Sequence, residues 1–255
     1  MSRGALAMSG FTRKEAGHSV YWESAPREKT LVLIHGANDH AGSWFTVAAA
    51  LARMYRVIIP DLAGHGESEP ASGPIPISLI LERLEAAIDD AAGEAGELTL
   101  LGNSLGGWMA LLYALRHPER VSRLILEASG GLDRPLSSPL VARNREEAIT
   151  ILRAVHGPAY QPQDWVIDAL LQRATDSPML RLTEVLEHSV ERRLGEIAAP
   201  ATLLWGADDG VLPLAYAEAL QQALPRATLH VIEGAGHIPH MQQPERFLQC
   251  LISTS

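Results

Sequence analysis

The arrangement of apolar runs is the feature that most constrains the fold of this 255-residue chain. Six short runs rich in Val, Ile and Leu are separated by segments whose apolar residues recur with helical spacing. Runs of this kind are typical of strands buried on both faces, as in parallel sheets. The predicted strands cover 30–36, 55–61, 98–104, 122–129, 201–208 and 228–236. The predicted helices cover 43–54, 77–92, 105–116, 213–224 and 239–252.

This alternation predicts an α/β fold with a mostly parallel central sheet and helices on both faces. The stretch 17–25 predicts an antiparallel strand at one edge of the sheet. From 130 to 195 the alternation stops, and helical patterns follow one another without a convincing strand. We therefore predict a core of 1–129 and 196–255 with a helical insertion at 130–195. Insertions after strand carboxyl ends face the ligand crevice, so we expect a lid rather than a segment that only packs.

Composition narrows the classes of partner. The net charge of −9 and the absence of a basic stripe argue against nucleic-acid binding. No apolar stretch reaches the roughly 18 residues needed to span a bilayer, and the N-terminal residues lack a signal-peptide core. The lone Cys250 can form neither an intrachain disulfide nor a thiolate metal site. We expect a cytoplasmic protein without membrane contact, and the sequence leaves homo-oligomerisation open.

One motif contains a candidate nucleophile. The stretch "LTLLGNSLGG" ends a predicted strand and places Ser104 in a G-x-S-x-G pattern before a predicted helix. The pattern alone arises by chance in about one chain in ten of this composition. Its context favours a nucleophile, because a strained strand-to-helix turn exposes the hydroxyl to the positive end of the helix. The alternative is a polar turn.

A serine hydroxyl is a weak nucleophile without a base, so the motif requires a histidine oriented by a carboxylate. His237 follows the last predicted strand in "EGAGHIPH". Asp208 and Asp209 follow the preceding strand in "LLWGADDGVLP". The order Ser, Asp, His along the chain is the one found on sheets of this kind.

The chain resembles the α/β-hydrolase superfamily, in particular its lidded serine esterases and carbon–carbon (meta-cleavage product) hydrolases. Four stretches carry the resemblance: "LIHGANDHAGSW", "DLAGHGES", "LLGNSLGGWMAL" and "LLWGADDGVLP…EGAGHIPHMQQPE". It implies the α/β-hydrolase fold with a helical lid insertion. It also implies a triad of Ser104, Asp209 and His237, with Asp208 and then Glu127 as less favoured acids. The backbone N–H groups of Ala37 and Leu105 would form the oxyanion hole.

The remaining polar residues have structural explanations. His35 is expected to brace the loop after the first long strand, and Asp61 and His65 to fix a neighbouring turn. His65 is a weak alternative to His237 as the base. His237 and His240 have H-x-x-H spacing but lack the accompanying glutamate, so no metal site is predicted. "GNSLGG" lacks the dinucleotide pattern, and no cofactor is predicted.

The predicted reaction is acyl transfer from a small or medium apolar carboxylic ester to water. The alternative is hydrolysis of a carbon–carbon bond in a vinylogous diketone acid, in which a lid arginine would hold the substrate carboxylate. Ile238 and Pro239 after the histidine look more like the esterase branch. A non-catalytic small-molecule receptor is the alternative of another class. The candidate lid arginines are Arg143, Arg145, Arg153, Arg173 and Arg181.

Overall fold

A computed structural model describes residues 2–93, 96–134 and 136–252. The strands are β1 (Thr12–Ala16), β2 (Ser19–Glu23), β3 (Thr30–Ile34), β4 (Arg56–Pro60), β5 (Ile75–Pro76), β6 (Leu98–Asn103), β7 (Val121–Glu127), β8 (Leu182–Thr183), β9 (Ala201–Gly206) and β10 (Ala227–Ile232). The α-helices are α1 (Ser2–Met8), α2 (Phe45–Leu51), α3 (Ile77–Ala92), α4 (Leu105–Arg116), α5 (Arg145–His156), α6 (Asp164–Ala174), α7 (Leu214–Ala223), α8 (Pro239–Gln242) and α9 (Pro244–Ile252). Short 3-10 helices span Ala41–Trp44, Pro178–Arg181 and Glu191–Glu196.

Eight of the described strands form one sheet in the order β1-β2-β4-β3-β6-β7-β9-β10, and β5 and β8 form a second sheet. The six strands from β4 to β10 in this order are parallel, whereas β2 is antiparallel to both of its neighbours. The predicted α/β class and mostly parallel sheet are therefore confirmed. Because the six strands run in the same direction, the loops that follow their carboxyl ends all leave from the same end of the sheet.

Apolar residues on the two faces of the sheet pack against different helices. On β3, Val32 and Ile34 face the cluster formed with α3, α4 and α7. Leu31 and Leu33 face the opposite cluster, which contains residues of α1, α2 and α9. This alternation follows from the two-residue period of a strand, and it explains why β3 reads as a continuous apolar run.

The sheet edge differs from the prediction. The predicted edge strand at 17–25 contains β2, but β2 pairs with both β1 and β4 and is an interior strand. The true edge is β1, whose sequence TRKEA is mostly exposed. An exposed edge strand needs few apolar residues, so the pattern that identifies buried strands does not detect it.

The predicted helix at 239–252 is divided into α8 and α9 around Gln243, because Pro244 starts a new helix. The predicted helix at 43–54 begins as the 3-10 helix Ala41–Trp44 and ends, as α2, at Leu51.

The segment between β7 and β9 contains α5, α6 and two short 3-10 helices within the described residues. It also contains the two-residue strand β8, which pairs with β5 and was not predicted. Ile151, Leu152 and Ile167 form a small apolar cluster of the segment's own. This cluster is separate from the two clusters that flank the central sheet.

Candidate active site

Ser104 lies at a sharp turn between β6 and α4. Its φ of 53° and ψ of −113° are unfavourable for any residue with a side chain. The turn is tight: a Cβ on Gly102 would lie 2.2 Å from the carbonyl oxygen of Gly106, and one on Gly106 would lie 2.1 Å from that of Ile34. Because the atoms that an added Cβ would meet belong to the backbone, they cannot move aside, and both positions require glycine.

Backbone hydrogen bonds hold the strained serine in place. The Ser104 N–H donates to the carbonyl oxygen of Glu127 at 3.0 Å, on the neighbouring strand β7. Its own carbonyl oxygen accepts from Trp108 N at 3.1 Å and Gly130 N at 3.0 Å. Leu105 follows as the first residue of α4, where backbone N–H groups have no intrahelical partner and carry partial positive charge.

His237 and Asp209 form a buried pair in the loops after β10 and β9. His237 Nδ1 lies 2.9 Å from Asp209 Oδ2, and the two side chains are 9% and 0% exposed. The other oxygen, Oδ1, accepts from Val211 N and Leu212 N at 2.9 Å each. Three donors fix the carboxyl plane. Because Asp209 Oδ2 accepts, His237 Nδ1 carries the imidazole hydrogen and Nε2 keeps its lone pair.

The other two candidate acids lie elsewhere. Asp208 is exposed to solvent, although it is adjacent to Asp209 in sequence. Glu127 is buried and pairs with His240 rather than with His237. The structure therefore brings Asp209, and neither alternative, to His237.

Asn103 connects the serine turn to the histidine loop. Its Nδ2 donates to the carbonyl oxygen of His237 at 3.0 Å, and the His237 N–H donates to Val155 O of α5 at 2.8 Å. The sequence analysis assigned Asn103 no role in holding the site. Its signal was available: a buried asparagine at the end of an otherwise apolar strand must find hydrogen-bond partners.

The loop after β3 packs against the serine turn. A Cβ on Gly36 would lie 2.7 Å from Asn103 Oδ1 and 3.3 Å from Ser104 Cβ, so the residue before Ala37 packs against the nucleophile candidate. Next along the chain, Asn38 has a φ of 60°. Its Nδ2 donates to Leu140 O at 3.3 Å, and its Oδ1 accepts from Ser177 Oγ at 2.6 Å. Asn38 thus joins the loop after β3 to two parts of the 130–195 segment.

His35 and Asp61 hold the loops after β3 and β4 together. His35 Nδ1 donates to Gly36 O at 2.7 Å, and its Nε2 accepts from Leu62 N at 3.0 Å. The Asp61 carboxylate accepts from Ala41 N at 2.6 Å and from Glu67 N at 2.8 Å. Both side chains therefore bond to backbone, as the sequence analysis expected of bracing residues.

His65 is buried, and burial lowers the pKa of its imidazole to about 4. Its Nδ1 lies 3.0 Å from the carbonyl oxygen of Ala63, so the ring is oriented by its own loop. A histidine with this low pKa is neutral at pH 7.

A cavity of about 420 Å³ opens beside the loop after β3, and we call it the loop cavity. Its lining comes from 38–40, from 64–66, from 140–142 and from residues between 170 and 178. Among the described residues, neither Ser104 nor His237 is part of this lining, but the lining begins one residue beyond Ala37. The cavity therefore lies beside the loop after β3, next to the turn that carries Ser104.

Of the five candidate lid arginines, Arg173 is the one that lines the loop cavity. The other four bind groups elsewhere. Two of them form ion pairs: Arg143 with Glu147, and Arg145 with Asp164 and Asp168. Two form hydrogen bonds: Arg153 with Tyr160 O and Gln161, and Arg181 with Pro70 O and Gly73 O.

Across 2–93, 96–134 and 136–252, no cluster of three or more His, Cys, Asp or Glu residues is arranged to hold a metal ion. In the same residues, no helix combines the length and the apolar character needed to cross a membrane.

Residues 31–249 match the family model of the alpha/beta hydrolase family, and the chain belongs to that family. Its relatives include enzymes of two kinds. It is 30% identical to a 2-hydroxy-6-oxononadienedioate/2-hydroxy-6-oxononatrienedioate hydrolase of Paraburkholderia phymatum, over 91% of this chain and 88% of the relative. It is 28% identical to the pimeloyl-[acyl-carrier protein] methyl ester esterase of Nitrosomonas europaea, over 91% of this chain and 98% of the relative.

A solved structure of a bacterial membrane phospholipase A is similar over 98% of this chain and 87% of that chain. The TM-score is 0.80 and the sequence identity is 27%. The names of these proteins describe a hydrolase, an esterase and a phospholipase.

Proposed function

We propose that the protein is a serine hydrolase that cleaves carboxylic esters of small to medium size through an acyl-enzyme. The observation that carries the proposal is the buried His237–Asp209 pair, which has a 2.9 Å contact. It lies in loops that leave the same end of the parallel sheet as the turn of Ser104 after β6. A histidine whose Nδ1 is held by a carboxylate presents Nε2 as a base, and a strained serine at a helix N-terminus is its natural proton donor.

The reaction proceeds in two steps. His237 Nε2 takes the Ser104 proton as Oγ attacks the ester carbonyl carbon, and the alkoxide leaves with that proton. Asp209 stabilises the imidazolium that forms in between. A water molecule, deprotonated by His237, then attacks the acyl carbon. The bond from that carbon to Ser104 Oγ breaks, the acid is released, and His237 returns the proton to Oγ. In both steps the N–H groups of Ala37 and Leu105 receive the oxyanion, and each such donor typically contributes about 3 kcal/mol.

The loop cavity supports the substrate class. Its lining combines apolar residues, such as Leu140 and Leu170, with polar ones, and its volume of about 420 Å³ suits a small or medium group. We propose that the acyl or alcohol part of the ester occupies this cavity and that the 130–195 segment acts as its lid.

The experiment is ester hydrolysis by Ser104→Ala, with Ser72→Ala as the matched control because Ser72 lies in an exposed loop. We expect Ser104→Ala to lose about 10⁴-fold or more in kcat for p-nitrophenyl esters and to lose labelling by a fluorophosphonate. Ser72→Ala should behave as wild type. Wild-type rates in Ser104→Ala would refute the proposal. Labelling of Ser104 without turnover of any ester would support the receptor alternative.

Carbon–carbon bond hydrolysis is the second candidate, and the position of Arg173 on the loop cavity favours it. A guanidinium there suits the carboxylate of a vinylogous diketone acid. Arg173→Gln should then raise KM for that acid about tenfold or more, without affecting a neutral ester. Arg143→Gln is the control, since Arg143 is exposed and paired with Glu147. Turnover of esters and not of the diketone acid would exclude this candidate.

A further inference from the structure

A second histidine–carboxylate pair lies close to the proposed triad and takes no part in the mechanism above. The Glu127 carboxylate binds His240 twice: Oε1 accepts from the His240 backbone N–H at 2.7 Å, and Oε2 lies 2.7 Å from Nδ1. The two side chains are 0% and 1% exposed. Burying a carboxylate costs free energy unless hydrogen bonds and an ion pair compensate for the lost water. Glu127 and His240 are therefore expected to be buried together.

The surroundings leave the His240 ring little freedom. The ring of Trp44 lies 4.2 Å from it between centroids, and Phe247 contacts it edge-on. The His240 carbonyl oxygen accepts from Thr46 Oγ1 at 2.8 Å. The position of His240 is therefore constrained at its backbone and by two aromatic contacts at its ring.

Glu127 also touches the serine turn. Its backbone carbonyl oxygen accepts the Ser104 N–H at 3.0 Å, while its carboxylate holds a residue three positions after His237. The chain turns sharply directly after it, since Ala128 has a φ of 43°. One residue at the end of β7 thus spans the distance between the proposed nucleophile and the loop of the proposed base.

We propose that Glu127 is a positioning residue: through His240 its carboxylate sets the place of His237 relative to Ser104. The inference rests on the proposed function. His237 itself has other anchors: Asn103 Nδ2 donates to His237 O, His237 N donates to Val155 O, and His237 Nδ1 lies 2.9 Å from Asp209 Oδ2. The Glu127 carboxylate fixes the start of α8, which the loop must reach. Misplacement of a reacting group by about 1 Å can cost a factor of 100 in rate.

The test compares Glu127→Asp with Glu127→Gln, using kcat per active site, with sites counted by fluorophosphonate titration. Asp keeps the charge but withdraws the carboxylate by about 1.5 Å, the length of one carbon–carbon bond. We expect its kcat per site to fall roughly tenfold with KM within about threefold. Gln keeps the length, accepts from the His240 N–H, and can donate to Nδ1 if the ring carries its hydrogen on Nε2. We expect Gln to stay within about threefold of wild type.

The matched control is Glu85→Asp. Glu85 also pairs with a histidine, His117, at 2.8 Å, but that histidine follows the far end of α4, away from the site. Its variant should keep the wild-type kcat per site. The normalisation separates positioning from folding, because a purely structural role lowers the number of sites and not the rate at each. Wild-type kcat per site in Glu127→Asp would overturn the inference. If the wild-type protein neither labels at Ser104 nor hydrolyses esters, the proposed function fails instead.

Discussion

Asp209→Asn is the sharpest test of the candidate site, because the structure determines how the new amide must lie. Oδ1 of Asp209 accepts two backbone N–H groups, from Val211 and Leu212. Only the amide oxygen can replace it there, so the amide NH₂ faces His237 Nδ1. The NH₂ is a donor, and it forces the imidazole hydrogen onto Nε2. The histidine then has no lone pair for the Ser104 proton.

The magnitude follows from this change of tautomer. Loss of the correct tautomer in a Ser-His-Asp triad lowers kcat about 10⁴-fold. At 1.36 kcal/mol for each factor of ten, that is about 5 kcal/mol of transition-state stabilisation. The cost in folding should be smaller, about 1–2 kcal/mol, because the two backbone bonds persist and the shape is unchanged.

The assay is kcat for a p-nitrophenyl ester, with stability followed by urea unfolding. Asp208→Asn is the control, since it makes the same change of charge one residue away on an exposed side chain. It should retain wild-type kcat. An Asp209→Asn protein with wild-type kcat, or equal losses in both variants, would refute the assignment of Asp209 as the acid.

Three further predictions concern the frame of the site. Because burial lowers the pKa of His65 from 6.5 to about 4, the unfolded chain binds its proton first as pH falls, so this contribution is present above pH 6.5 and is lost towards pH 4. Urea unfolding of wild type should show a loss of about 3 kcal/mol from this source, and His65→Gln should show a correspondingly shallower pH dependence. Gly102→Ala should lower the free energy of unfolding by about 3 kcal/mol or more, because the new Cβ clashes with the backbone of Gly106. Gly195→Ala, whose Cβ meets open space, should change it by less than about 0.5 kcal/mol. Similar values for both variants would contradict the packing described. Asn38→Gly keeps the positive φ but removes two hydrogen bonds to the 130–195 segment. Amide hydrogen exchange in that segment should therefore rise roughly tenfold or more, with a smaller rise for Ser177→Ala. Unchanged exchange would show that Asn38 does not hold the segment.

The sequence by itself determined the α/β class and most strand and helix positions, because buried parallel strands and amphipathic helices have distinct apolar patterns. It also placed Ser104, Asp209 and His237 after three predicted strands, and parallel strands bring such loops to one edge. It missed β1, since an exposed edge strand carries no apolar signal. The extent of the lid, 130–195, remains a prediction.

Only the tertiary structure decided which side chains meet. The resemblance to the family favours Asp209 over its neighbour Asp208, but the side-chain directions come from the structure. The turn after β9 directs Asp209 to His237 and leaves Asp208 in solvent. Likewise, nothing local to Glu127 indicates that its carboxylate binds His240, 113 residues further along the chain. Pairings of this kind depend on side-chain direction in loops from separate strands, and no periodic pattern in a sequence records that direction.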